Sequence, residues 1–168
     1  DWPQYGGDLG GSKYAPVEQI NRKNFNQLRV VWRYRPPDEQ IRTAADSLNL
    51  GISNHRGTPI VVAGVLYHAS PYNIVSALDA ASGELLWTFD PEAWRSGARF
   101  LGNLRGLSYW SDGKVARIFL ATSSAYLYSL DAATGLPDPA FGDSGRIDLG
   151  ANRIPGPHGL PLTKPLYG

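Results

Sequence analysis

The chain contains no cysteine and no methionine. Without cysteine there is no disulfide framework, and cysteine usage leaves the redox compartment open. No apolar run reaches the roughly 18 residues that a membrane-spanning helix needs. Neither sign of charge dominates: 16 Lys and Arg stand against 15 Asp and Glu, for a formal net charge of +1. These charges are interspersed, and Arg22-Lys23 is too short to form a basic patch, so the electrostatic footprint of a nucleic-acid binder is missing. No P-loop or dinucleotide fingerprint is present. The three histidines, His55, His68 and His158, lack close metal-ligand spacing. Gly142-Asp143-Ser144-Gly145 resembles a serine-protease nucleophile phrase, but no histidine has the context of its general base. No signal peptide is visible and the first residue is Asp1, which fits a processed or excised segment equally well.

What the chain does have is a repeated phrase. Ala77-Leu78-Asp79-Ala80-Ala81-Ser82-Gly83 returns as Ser129-Leu130-Asp131-Ala132-Ala133-Thr134-Gly135, at an offset of 52 residues. Each copy follows an apolar, aromatic-rich segment. A period of roughly 20–50 residues marks a solenoid, propeller or array, and strand-rich units near its upper end suggest four-stranded propeller blades. Short strands are predicted at Pro59–Ala63, Val65–Ala69, Ile74–Leu78 and Leu85–Phe89, then at Arg105–Trp110, Arg117–Thr122, Tyr126–Leu130 and Ile147–Leu149. Arg29–Arg35, β-branched and aromatic, reads as a further strand stopped by Pro36-Pro37. A helical turn is expected within Val17–Leu28. Asp38–Gly57 and Asp90–Asn103 read as long polar connections, which in a compact domain are commonly functional. Asp79 and Asp131 occupy repeat turns, where carboxylates accept backbone N–H bonds and Gly takes positive φ. Trp87, eight residues after Asp79, is expected to lie flat on the neighbouring repeat, and Trp32 to play the same part from the N-terminal side. Pro139 stands at the matching position of the second copy.

The stretch Ala77-x-Asp79-x-x-Ser82-Gly83-x-x-x-Trp87 resembles the tryptophan-docking motif of the quinoprotein dehydrogenases, which hold pyrroloquinoline quinone (PQQ) at the axis of an eight-bladed propeller. Asp1-Trp2-Pro3-Gln4-Tyr5-Gly6-Gly7-Asp8, with Tyr14-Ala15-Pro16, Gln19-Ile20-Asn21 and Leu28–Tyr34, is similar to that family's opening segment. Arg105-Gly106-Leu107-Ser108-Tyr109-Trp110 resembles its Arg-Gly-Val-Ala-Tyr-Trp phrase. Leu130-Asp131-Ala132-Ala133-Thr134-Gly135, followed by Phe141-Gly142 and Gly145–Leu149, is similar to the branch of membrane-bound glucose and quinate dehydrogenases. The resemblance implies an all-β fold: a partial β-propeller of about two to three blades, since 168 residues hold about three units of 52. It implies one domain, with an opening segment and loop over 1–57, a first clear blade over 58–110, and a second repeat with the start of the next over 111–168. An N-terminal fragment of a longer ring is expected, with bare blade faces that drive association.

Site residues follow from the same resemblance. Arg105 matches the family arginine that contacts the acidic cofactor; PQQ carries three carboxylates, and a guanidinium fork suits them. Thr163 sits where the family has a hydroxyl residue touching the cofactor. Arg56, in His55-Arg56-Gly57-Thr58-Pro59, stands where some alcohol dehydrogenases place a cofactor-binding glutamate; it either attracts a cofactor carboxylate or faces solvent. The alcohol-oxidising branch often carries a vicinal cysteine pair against the cofactor ring; with no cysteine this chain cannot hold it, which disfavours the methanol-type branch. The family's Ca2+ ligands and catalytic aspartate are expected outside this segment, so no catalytic or metal residue is assigned within it. The implied parent is a periplasmic PQQ-dependent dehydrogenase. It would oxidise a sugar, polyol or alcohol and pass electrons to a quinone or cytochrome, using Ca2+ as well as PQQ. The segment alone is expected to be inactive. The alternative is a non-catalytic propeller scaffold built from the same repeats for protein binding.

Overall fold

Alternating apolar residues between glycine turns build two antiparallel four-stranded sheets in the computed structural model, which describes residues 1–44, 55–96 and 105–151. The first contains β1 (Ile60–Val62), β2 (Val65–Ala69), β3 (Val75–Asp79) and β4 (Leu85–Phe89) in sequential order. The second repeats that order with β5 (Ser108–Ser111), β6 (Ala116–Ala121), β7 (Tyr126–Asp131) and β8 (Arg146–Asp148). Each is a simple meander, as a propeller blade requires.

The sheets pack face to face around one core. Ile60, Tyr67, Val75 and Ala77 from the first sheet meet Ile118, Leu120, Tyr128 and Leu130 from the second. Tyr67 donates its hydroxyl to the Ala132 carbonyl across this interface, at 3.2 Å. A second clasp joins the two at the hairpin between β2 and β3. Buried Asn73, at φ 67°, accepts from the Ser123 amide at 2.8 Å and its hydroxyl at 3.0 Å.

Meander topology sorts the connections onto two opposite rims. One rim holds the tight turns at Ala63-Gly64, Asp79–Gly83 and Asp131–Gly135. The other holds the β2–β3 and β6–β7 hairpins and the described ends of both long connections. On the first rim the repeated phrase forms the same bonds twice. Asp79 Oδ1 accepts from the Ala81 and Ser82 amides and the Ser82 hydroxyl. Asp131 Oδ1 accepts from Ala133, Thr134 and the Thr134 hydroxyl. Backbone donation from Ser82 is the main reason the Asp79 carboxyl sits below the usual aspartate range.

The docking expectation holds at both tryptophans. Trp87 donates its indole N–H to the Ala132 carbonyl at 3.1 Å and lies over Gly135. Trp32 donates to the Ala80 carbonyl at 3.3 Å and lies over Gly83. The predicted strand at Arg29–Arg35 is not formed. A strand needs a ladder partner, and among the described residues none pairs with this segment. It covers the face of the first sheet that points away from the second, through Trp32 and through Tyr34, whose hydroxyl bonds Ser76 Oγ at 2.7 Å. Leu28, Val30 and Val31 remain 62, 65 and 73% exposed.

The helical turn predicted in Val17–Leu28 is the 3-10 turn Phe25–Gln27. The connection after Pro37, irregular by its sequence, begins with a short helix, α1 (Asp38–Ala44). Its end signals are present: proline before the first turn, Asp38 and Glu39 in it and Arg42 in the last. Its apolar side chain, Ile41, packs on a small cluster of Tyr72, Ile74 and Trp94.

Candidate functional site

Both long connections end on the rim opposite the docking turns, and each returns to the first strand of its sheet through an arginine. The two lead-ins touch. The Thr58 amide donates to the Arg105 carbonyl at 3.0 Å, and Thr58 and Gly106 form a parallel bridge. A Cβ on Gly106 would stand 3.1 Å from the Thr58 carbonyl, so this close backbone approach favours glycine. Arg56 is thus brought within two residues of the bridge that holds Arg105. Both are exposed, and neither side chain forms an ion pair among the described residues. Arg117, by contrast, is tied to Asp138 at 2.9 Å and Asp131 at 3.3 Å, where it braces a docking turn.

Two guanidiniums on one rim, free of acidic partners among the described residues, form a donor set suited to an anion. Charge-assisted bonds to carboxylate are the strongest such groups make, and the planar fork adds directional fit. Thr163 lies outside the described residues, as does His158.

Sequence spacing gives no hint that two histidines meet on this rim. His68, on β2, lies 3.2 Å from His55 between their Nε2 atoms, with the rings nearly parallel at 5°. Tyr34 packs edge-on against His68. Burial, and secondarily the charge of His55, lowers the pKa of the His68 imidazole to about 4. Asp38 lies on the same rim. It accepts from the Tyr72 amide at 3.0 Å, and burial pushes its carboxyl above the usual aspartate range. The signal for His68 is its register. Strand alternation puts it on the face opposite Tyr67 and Ala69, away from the inter-sheet core. Nothing local signals His55, which reaches it from the far end of a long connection. Among the described residues no group of three or more His, Asp or Glu side chains is arranged to hold a metal ion.

Comparison with known proteins identifies the family of this fold. Residues 2–162 match the sequence profile described as "PQQ: Glucose/ethanol/alcohol dehydrogenase, beta-propeller domain". The chain is 30% identical over 145 residues to the dehydrogenase subunit of a quinone alcohol dehydrogenase from Gluconobacter oxydans, covering 80% of this chain and 16% of that protein. It is 31% identical over 180 residues to a quinoprotein glucose dehydrogenase of the same organism, covering 98% and 21%. The quinohemoprotein alcohol dehydrogenase structure from Comamonas testosteroni superposes with a TM-score of 0.68 at 25% identity, over 92% of this chain and 20% of that one. The chain therefore spans about a fifth of the length of the curated relatives it matches.

Proposed function

The chain belongs to the PQQ-dependent glucose/ethanol/alcohol dehydrogenase β-propeller family, and from that premise we propose that it supplies one cofactor-binding arc of a larger dehydrogenase. In this reading, residues 58–110 and 111–168 are successive repeats of one propeller, and the rim bearing Arg56 and Arg105 faces PQQ. The single observation that carries it is the bridge between Thr58 and Gly106, which brings the lead-ins of two guanidiniums together. That donor set fits a small, multiply charged carboxylate.

When bound, PQQ supplies the two-electron redox chemistry, and the protein supplies placement. Arg105 and Arg56 bind and orient its carboxylates; Thr163 adds a hydroxyl contact. No residue of this chain is assigned as base. The base and the Ca2+ ligands belong to the rest of the protein. The substrate is a sugar, polyol or alcohol, and a quinone or cytochrome accepts the electrons; two relatives are named for a quinone and for cytochrome c. A periplasmic location accords with this chemistry, and no described helix is long and apolar enough to cross a membrane.

The test is equilibrium titration of the metal-loaded, full-length apoprotein with PQQ. A charge-assisted hydrogen bond contributes about 1.5–3 kcal/mol, so Arg105→Gln weakens binding about tenfold or more. Arg105 is exposed, so the substitution leaves the melting temperature in place. Unchanged affinity contradicts the proposed role of Arg105.

A further inference from the structure

The half-buried imidazole of His68 plays no part in the inter-sheet core, yet it has neighbours on three sides. Its strand neighbour across the ladder is Ser76, whose hydroxyl bonds Tyr34. The Tyr34 ring stands edge-on to the imidazole with centroids 6.2 Å apart. His55 completes the enclosure, with ring centroids 4.8 Å away. Among the described residues, the Nδ1 atom of His68 is buried without a hydrogen-bond partner.

That orphan atom selects the tautomer. A proton on Nδ1 would leave a buried donor unmet, which native structures rarely tolerate, whereas a bare acceptor is less costly. The His68 proton therefore belongs on Nε2, which donates to His55 Nε2. His55 is left with its own proton on Nδ1. The bond joins a rigid strand to the residue immediately before Arg56. Three residues after His55, the Thr58 amide is held by the Arg105 carbonyl. The short span carrying Arg56 is thus anchored at both ends, one by a side-chain bond and one by the backbone.

We propose that His68 is a positioning residue for anion binding: its imidazole holds His55 and thereby fixes Arg56 beside Arg105, ready to receive a cofactor carboxylate. This rests on the reading of the rim as the PQQ site. Without the anchor, Arg56 would end a long connection and lose conformational freedom only when the anion binds, a cost that preorganisation removes.

The experiment is a set of PQQ titrations on the full-length, metal-loaded apoprotein, with binding as the readout. His68→Leu removes the donor; His68→Gln retains an amide N–H near Nε2; His55→Ala removes the acceptor at an exposed position where folding is not at stake. Losing one hydrogen bond of about 1 kcal/mol weakens affinity about fivefold. That loss is expected in His68→Leu and His55→Ala, with His68→Gln close to wild type. Combining either lossy variant with Arg56→Gln should weaken binding no further than Arg56→Gln alone. Wild-type affinity in His55→Ala, or losses that add to that of Arg56→Gln, overturns the inference. If Arg105→Gln weakens binding while Arg56→Gln does not, the inference falls and the rim reading stands. If neither arginine matters, the rim reading itself fails.

Discussion

Replacing Gly135 by Ala tests the tryptophan docking that couples one repeat to the next. Gly135 sits at φ 72°, and a Cβ there would overlap the Trp87 ring, reaching 2.7 Å from its Cδ2 atom. Two costs follow. The left-handed backbone costs a non-glycine residue about 1–2 kcal/mol. The ring must also move, which gives up the indole bond to Ala132, about 1 kcal/mol net, and part of its apolar contact. Together these amount to about 3–5 kcal/mol. Gly64 separates the costs. It has φ 81°, and a Cβ at that position would meet nothing within 4 Å, so Gly64→Ala carries the backbone cost alone. In urea unfolding of the full-length protein followed by tryptophan fluorescence, Gly135→Ala should be less stable than Gly64→Ala by about 2–3 kcal/mol. Gly83→Ala, which meets Trp32 in the same way at 2.6 Å, should behave like Gly135→Ala. Equal destabilisation by Gly135→Ala and Gly64→Ala would refute the docking role.

Two further outcomes follow from the packing. The pKa of His68 falls to about 4 on folding, chiefly through burial and then through the His55 charge, while an unperturbed imidazole titrates near ~6.5. Its contribution is therefore intact above about pH 6.5, declines as pH falls and is fully lost below about pH 4, at a cost of up to about 3 kcal/mol. Tyr34, His55 and the Asp38 carboxylate face this region, and melting temperatures between about pH 7 and 4 should fall less steeply in His68→Gln than in wild type; parallel slopes would contradict this. Asn73→Gly removes the inter-sheet clasp to Ser123 without backbone strain, and should cost about 1–3 kcal/mol in the same urea experiment; an unchanged midpoint would show that the clasp does not couple the sheets.

How much of this is legible in the linear sequence differs by feature. The docking turns are, because Asp, a hydroxyl residue and Gly at fixed offsets dictate a local bond pattern that the fold repeats atom for atom at Asp79 and Asp131. The strands within each sheet are, because short alternating runs between glycines have few other solutions. Arg29–Arg35 is not, because extended conformation is local while a strand is defined by its partner. The helix α1 carries clear end signals but only one apolar anchor, Ile41, too few to show a helical period. On the candidate site, Arg105 and Arg56 stand out through the phrases around them, not through any property of the arginines. Their convergence depends on the bridge between Thr58 and Gly106, a contact between segments 48 residues apart. The meeting of His55 with His68 is equally non-local, and neither residue's neighbours announce it.

The central claim is that this rim grips an anionic redox cofactor through paired guanidiniums, and a direct measurement is PQQ affinity of the full-length protein with both cations neutralised. Arg56→Gln/Arg105→Gln should bind about a hundredfold more weakly than wild type, with the residual binding less sensitive to added salt. Wild-type affinity and wild-type salt dependence in the double variant would contradict it.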